Sequence, residues 1–230
     1  MKSAYASTVV RFVASLLVLS SGVACTVQKK DYTAFRAHHP KSILVLPPLN
    51  ESTSLDATYG HLSTVSFPLA EMGYYVLPVA VVDQILKENG LPTAGEMHQI
   101  PLKKAEEIFG ADAVLYIKIK QYGSKYIVIS SLTTVALEAK LVDTKTGNLL
   151  WESSALVKRG FGGSVYTMVT APVHQIMNSK TDYAHSFCPL ANQLLFATPG
   201  KGILVGPRHS FYRRDHSFYG REQLGRSLCF

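Results

Sequence analysis

The chain of 230 residues is 47% hydrophobic and carries a formal net charge of +7 at pH 7. This length and apolar content suit one domain with a real core plus tails, and the basic balance permits an anionic membrane or nucleic acid as a partner without selecting either. The three cysteines, Cys25, Cys188 and Cys229, lack the paired short spacing of zinc and redox motifs, so metal binding through thiolate is not expected. We also expect no cofactor.

The first 24 residues have the pattern of a bacterial export signal. Lys2 and Arg11 are the charged residues of this segment, and the run FVASLLVLSSGV at 12–23 is uncharged. An apolar run of about a dozen residues is too short to span a bilayer as a permanent helix. We therefore predict a cleaved signal peptide at residues 1–24.

The signal ends in Gly22-Val23-Ala24-Cys25, which resembles a lipobox, although Gly22 stands where the usual residue is Leu. Gly22 and Ala24 also satisfy the small-x-small rule of ordinary signal peptidase, so cleavage before Cys25 is expected in either case and only the lipid stays open. Acylation of Cys25 would anchor the protein without a transmembrane helix. Thr26 lies where Asp would retain a lipoprotein at the inner membrane, which predicts the periplasmic face of the outer membrane.

Residues 25–40 are polar and show no periodicity, which predicts a tether between the lipid and the folded body. The body begins with a short buried strand at 43–46, ended by Pro47-Pro48, and a second short strand at 74–78. Helices are predicted at 56–72, 79–90 and 101–110. The residues expected to face the core are Tyr59, Leu62, Val65, Phe67 and Leu69 in the first helix, Val81, Val82, Ile85 and Leu86 in the second, and Leu102, Ala105, Ile108 and Phe109 in the third.

Residues 113–157 read as an antiparallel meander of three strands. Leu115, Ile117 and Ile119 alternate with Tyr116, Lys118 and Lys120, and a similar alternation follows at 135–141. Turns are predicted at Gly123-Ser124 and at 143–148, and a bulge at Ser130-Ser131 restores the phase. The fold class is therefore α/β, with a mixed sheet of about five strands covered by helices in a single domain at 41–207.

Four stretches carry a resemblance to a known family: KKDYTAFRAHHPKSILVLPPLNES, FPLAEMGYYVLPVAVVDQILKENGL, EIFGADAVLYIKI and LVDTKTGNLLWE. Together they resemble the small neisserial-type lipoproteins of unknown function, and the likeness runs from about Lys29 to Trp151 and fades beyond. The resemblance implies a fold like the N-terminal domain of TolB and CsgG-like outer-membrane lipoproteins as partners. It implies no catalytic residues.

The C-terminal part contains helical patterns at 164–177 and 182–196, each interrupted by a proline, and a candidate edge strand at 202–208. Residues 208–230 form a basic tail with the repeat HSFYRRD and HSFYGRE. Arginines interleaved with aromatic residues suit single-stranded nucleic acid, but the export signal argues against that partner. Two interpretations of the tail remain. It is either solvated and poorly ordered, or it contacts anionic lipid, lipopolysaccharide or an acidic protein.

No catalytic motif stands out, and we expect no enzyme. The sequence predicts an outer-membrane-anchored interaction or accessory component of a cell-envelope assembly or transport system. The alternative is a soluble periplasmic module that binds a small ligand in a crevice at the carboxyl ends of the first two strands, near Asn50, Glu51 and Pro78. Cys188 and Cys229 could form a disulfide in the periplasm, and exposed strand edges leave homo-oligomerisation open.

Overall fold

A computed structural model describes residues 30–127, 130–162 and 184–212 of the chain. The described helices are α1 (Thr33–His38), α2 (Ala57–Glu71), α3 (Val79–Glu88), α4 (Ala94–Met97), α5 (Leu102–Phe109) and α6 (Cys188–Ala197), with a 3₁₀ turn at His185–Phe187. The described strands are β1 (Ser42–Val45), β2 (Leu49–Asn50), β3 (Tyr75–Val76), β4 (Ala113–Ile127), β5 (Ser130–Asp143) and β6 (Leu149–Gly162). Helices α2, α3 and α5 are the three that the sequence predicts between the strands.

The six described strands form one sheet in the order β3-β1-β4-β5-β6, and β2 also pairs with β4. β1 is parallel to β3 and β4, whereas β4, β5 and β6 are antiparallel neighbours. The predicted mixed α/β sheet is thus confirmed. Pro47 and Pro48 end β1 because proline has no N–H to donate, and the chain then returns to the same neighbour as β2, beside Lys118 and Ile119.

The pairing of β4 with β5 extends further along the chain than predicted. β4 continues through Gly123, which pairs with Thr134, and reaches Ile127 opposite Ser130. Gly123 has a φ of 132°, a backbone conformation that glycine adopts within a distorted strand as well as in a turn. The prediction of a turn at Gly123-Ser124 is therefore wrong, and the hairpin is longer than expected.

The second turn lies where the sequence places it. Asp143 accepts hydrogen bonds from the backbone N–H of Thr146 at 2.8 Å and from its hydroxyl at 2.7 Å, and Gly147 has a φ of 73°. This is the chemistry of a tight turn, in which an aspartate binds a nearby backbone amide and a glycine takes the positive φ.

The irregularities of the meander lie between Ile119 and Gln121 in β4 and beside Leu141 and Val142 of β5, rather than at the predicted Ser130-Ser131. In β4 the buried residues Ile119 and Tyr122 are three positions apart instead of two. One additional residue is needed to keep both on the same face, which is what a bulge supplies.

The core has two parts, one on each face of the sheet. Helices α2 and α6 pack on the face of β4–β6 that carries Leu115, Leu141 and Trp151. Helices α3, α4 and α5 pack on the opposite face, against Leu44 of β1 and Val114 of β4. The layer formed by α3, α4 and α5 therefore covers β1 and the beginning of β4.

Within the helices, Leu62, Val65 and Leu69 of α2 are buried as predicted, as are Val82 and Leu86 of α3. The residues predicted to be inward that are instead exposed are Tyr59, Phe67, Val81 and Ile108. In α2 the buried stripe also includes His61, and positions 59 and 67 lie more than about 100° from its centre at 100° per residue. An apolar side chain alone did not decide which face of α2 is buried.

The folded body begins before the predicted boundary at residue 41. α1 lies within the segment predicted as a tether, and Phe35 is buried against the main core. The Tyr32 hydroxyl donates to the backbone carbonyl of Gly202 at 2.5 Å, and the Lys30 Nζ lies 5.6 Å from the centre of the Trp151 ring. Residues 30–40 are therefore part of the domain, and the tether prediction is wrong for them.

The segment after α6 packs on the body without forming the predicted strand. Gly206 N–H donates to the Met72 carbonyl at 2.7 Å, and Arg208 N–H donates to the Gly73 carbonyl at 3.1 Å. A Cβ at position 206 would lie 2.7 Å from the oxygen of Gly73, so the close approach requires glycine there. Residues 208–212 form turns beside β3, and the rest of the predicted tail lies outside the described residues.

The predicted helix at 182–196 corresponds to α6, which begins at Cys188 with Pro189 in its first turn. A proline fits at the start of a helix because the first N–H groups have no partner inside the helix. The predicted helix at 164–177 lies outside the described residues.

Candidate functional site

One face of β4, β5 and β6 is left open by the described helices beyond the beginning of β4. Side chains on this face form cross-strand rows, Tyr116–Lys140–Glu152 and Lys118–Glu138–Ser154. These rows alternate with the buried residues of the same strands, as the period of two requires. The open face thus presents lysine and glutamate side chains in register on neighbouring strands.

An open groove of about 1040 Å³ lies over these rows. Leu49, His98 and Leu102 form one side of it, and Lys30 and Lys201 lie at the other. Among the described residues, the helical layer ends beside Tyr116 while the three strands continue, and this difference leaves the groove.

Tyr116 lines the groove and is partly buried. The Lys140 Nζ is 5.1 Å from the centre of its ring, and the His98 ring meets it edge-on with the centroids 5.3 Å apart. Burial raises the pKa of Tyr116, so its hydroxyl stays protonated and can donate a hydrogen bond. This cluster combines an aromatic surface with a cation and a polar ring.

His98 follows α4, and its Nε2 donates to the backbone carbonyl of Pro47 at 2.9 Å. Burial is the main cause that lowers the pKa of His98, and the positive charges of Lys140 and Lys118 act in the same direction. His98 is therefore neutral at pH 7. An anionic group bound between the two lysines would oppose their effect and raise the pKa of His98.

Both signs of charge line the groove. Glu138 lies directly across from Lys118, and Glu152 lies across from Lys140. Further along β4, Lys120 pairs with Glu51 at 2.5 Å, and both side chains are exposed. Lysine and glutamate thus face each other on neighbouring strands of this surface.

The structure does not assemble the ligand crevice predicted from Asn50, Glu51 and Pro78. Asn50 pairs with Ile119, four residues or roughly 13 Å beyond the end of β1 at 3.3 Å per residue. Its side chain is bonded within its own turn, accepting from Ser52 N–H at 2.9 Å. Pro78 precedes α3 on the far side of β1. Glu51 is held by Lys120 next to the groove.

Of the predicted cysteine sites, only Cys188 lies in the described part of the chain. It is fully buried at the beginning of α6. Cys25 and Cys229 lie outside the described residues, so the lipid site and the disulfide stay predictions.

The core contains a polar network that was not predicted from the sequence. His61 of α2 is fully buried, and its Nε2 donates to Asn192 Oδ1 of α6 at 2.8 Å. Asn192 in turn donates to the Thr64 hydroxyl at 3.0 Å. Burial lowers the pKa of His61 from 6.5 to about 4, so the ring is neutral. No pattern pointed to this contact, because His61 and Asn192 are 131 positions apart.

The described ranges contain no group of three or more His, Cys, Asp or Glu side chains that could hold a metal ion. Within the same ranges, no helix has the length and apolar content needed to cross a membrane.

The family model described as "Putative lipoprotein GNA1162-like" matches residues 30–208, more than half of the chain. The chain belongs to the GNA1162-like family. A curated relative, "Putative lipoprotein NMB1124/NMB1162" of Neisseria meningitidis serogroup B, is 44% identical over 203 residues, which cover 85% of this chain and 93% of the relative. The crystal structure of lipoprotein GNA1162 from Neisseria meningitidis is 45% identical with a TM-score of 0.51, and the match covers 60% of this chain and 99% of that chain.

The resemblance found in the sequence is thus confirmed, and the GNA1162-like match extends further than predicted. It continues from Trp151 to Arg208, across the segment where the likeness was expected to fade. The matched range begins at Lys30, where the described body also begins.

Proposed function

We propose that this GNA1162-like protein is an envelope lipoprotein, anchored through Cys25 at the periplasmic face of the outer membrane, that acts as a non-catalytic interaction component. The observation that carries the proposal is the family match over residues 30–208, which begins five residues after Cys25. The matched family and both relatives are named as lipoproteins. The lipobox-like end of the leader supports acylation, and Thr26 supports the outer membrane.

The anchor is tested by metabolic labelling with a palmitate analogue. The wild-type chain should incorporate the label and sediment with outer-membrane fractions, whereas Cys25→Ser should not be labelled. Cys229→Ser is the matched control and should be labelled as the wild type is. Equal labelling of Cys25→Ser and wild type, or no labelling of either, would contradict the anchor.

The open face of β4–β6 is the surface that we propose for partner binding. Rows of lysine and glutamate around Tyr116 suit a protein surface of complementary charge, and the family resemblance suggests CsgG-like envelope lipoproteins as partners. A photo-crosslinking residue at Lys118 should capture a partner in cells. Gln193, exposed on α6 at the opposite face of the sheet, is the control position. Capture at both positions, or at neither, would count against this surface.

Binding of a small ligand is the second candidate, and the groove volume favours it. About 1040 Å³ lies slightly above the range of ordinary ligand pockets, which is roughly 300–1,000 Å³. A ligand in the groove should raise the melting temperature of the wild type and of Asn50→Ala, and this shift should be lost in Tyr116→Ala. A shift lost in Asn50→Ala but kept in Tyr116→Ala would favour the crevice predicted from the sequence instead.

A further inference from the structure

The anchor proposed at Cys25 restricts how the body can lie on the membrane. Five residue steps separate Cys25 from Lys30, and a fully extended chain covers about 17 Å over that distance. β4 has 15 residues, so it extends about 45 Å at 3.3 Å per step. The tether is much shorter than the body, so any surface that contacts the bilayer must include or adjoin the region of Lys30.

Lys30 lies at the end of the sheet where β6 begins. Its Nζ is near Trp151, the third residue of β6. α1 follows, and His38 Nε2 is 3.2 Å from the Thr146 hydroxyl in the turn between β5 and β6. The pair Ile127–Ser130 of the β4–β5 hairpin is at the other end of these strands.

The described chain also ends at this same end of the body. The Tyr212 ring lies 6.3 Å from the ring of His39, which follows α1. The Arg208 guanidinium lies 5.4 Å from the centre of the Tyr75 ring in β3. Beyond Tyr212 the sequence continues with Arg213 and Arg214, so the basic C-terminal segment starts next to the anchored end.

Exposed cations cluster at this end. Lys41 precedes β1, Lys145 lies in the turn between β5 and β6, and Arg208 lies beside β3. Three carboxylates lie at the same end and accept hydrogen bonds from backbone amides: Asp31 from Thr33 N–H at 2.9 Å, Asp112 from Lys41 N–H at 2.9 Å, and Asp143 from Thr146 N–H at 2.8 Å. Asp143 is buried, whereas the three cations are exposed. Anionic phospholipid headgroups complement such a surface.

We propose that the end of the body carrying Lys41, Lys145 and Arg208 lies against anionic phospholipid headgroups, with the β4–β5 hairpin directed away from the membrane. This inference rests on the lipid anchor proposed above. It orients the molecule end-on, so that the open face of β4–β6 runs away from the bilayer. The alternative orientation, with the edge of β6 along the membrane, would bring Lys158 and Arg159 to the headgroups instead.

The orientation can be tested apart from acylation in the cell. The mature chain from residue 25, carrying Cys229→Ser, is coupled through Cys25 to a maleimide lipid in vesicles of phosphatidylcholine and phosphatidylglycerol. Cys188 is fully buried and should not react. Trp151 is the one tryptophan of the sequence. Its ring is buried, so its distance from the headgroups is read by energy transfer to a headgroup-labelled acceptor lipid, which quenches the fluorescence without contact.

Headgroup quenching should be strong for Trp151. It should be several-fold weaker for a tryptophan introduced near the hairpin by Lys158→Trp in a Trp151→Phe background. Equal quenching at the two positions, or stronger quenching at 158, would overturn the end-on orientation. Because the coupling is chemical, this outcome is independent of the labelling experiment, whose failure would remove the natural anchor alone.

A charge comparison tests the headgroup contact without any anchor. The mature Cys25→Ser chain is floated with the same vesicles, with Lys41, Lys145 and Arg208 all changed to Gln. Each basic residue near an anionic surface contributes about fivefold in affinity, so the triple change should weaken binding by about 100-fold. The matched triple Lys118→Gln, Lys158→Gln and Arg159→Gln removes the same charge away from the anchored end and should bind almost as the wild type does. An equal loss of vesicle binding in both triple variants, or a loss in the second alone, would refute the proposed headgroup contact. This experiment does not depend on the Trp151 substitution.

Discussion

The buried histidine of α2 makes the free energy of unfolding depend on pH, and the size of this effect can be calculated. His61 is fully enclosed, and its Nδ1 has no hydrogen-bond partner among the described residues. Its pKa is about 4 in the folded protein and 6.5 when exposed, because burial penalises the charged ring. Between these two values the unfolded chain binds a proton that the folded protein does not, so stability is fully present above pH 6.5 and falls as the pH is lowered toward 4.

A difference of about 2.5 pKa units corresponds to about 3 kcal/mol in total, of which about 2.5 kcal/mol is lost between pH 7 and pH 4.5. The measurement is urea unfolding at both pH values, followed by Trp151 fluorescence. His61→Gln keeps a donor for Asn192 but cannot be protonated. It should cost about 1 kcal/mol at pH 7 and should lose less stability on acidification than the wild type by about 2.5 kcal/mol.

His38→Gln is the control, since it removes a partly exposed histidine and leaves His61 in place. It should retain the acid sensitivity of the wild type. If wild type and His61→Gln lost the same stability between pH 7 and pH 4.5, burial of the neutral ring would not be the cause, and the reasoning would be wrong. His98, whose pKa is also lowered by burial, contributes to the slope that both proteins share.

Two further predictions concern packing. Phe35→Ala should lower the free energy of unfolding by about 3–5 kcal/mol, because the ring is buried in the core. Phe67→Ala, at a position 72% exposed, should change the free energy of unfolding by less than about 0.5 kcal/mol. If denaturant titrations gave similar effects for the two variants, α1 would not be part of the body. Gly206→Ala should cost about 1–3 kcal/mol, since its Cβ would lie 2.7 Å from the oxygen of Gly73. Gly95 lies in α4, and a Cβ there would be 3.8 Å from its nearest neighbour, the Thr93 hydroxyl. Gly95→Ala should therefore be neutral or stabilise the protein by up to about 1 kcal/mol. A melting temperature lowered equally by Gly206→Ala and Gly95→Ala would contradict this account.

Some residues of the open face could be predicted from the sequence, and others could not. The alternation in β4 predicts that Tyr116 and Lys118 point away from the main core, and they do line the groove. His98 carries no sequence signal, because its place beside Tyr116 depends on where α4 packs. Asn50 and Glu51 were expected to meet Pro78, but the short strand β2 carries them along β4 instead.

Local patterns determined most of the elements of this protein. Prolines ended β1, glycine and aspartate chemistry set the turn at 143–148, and the period of two defined the faces of the meander, because each depends on residues close together in the chain. Tertiary structure alone decided that α2 buries His61 rather than Phe67, that residues 30–40 join the body, and that the described helices stop short of the groove. Such outcomes depend on which distant surfaces meet, and the free energy of burial is shared among residues too far apart in sequence to leave a local signal.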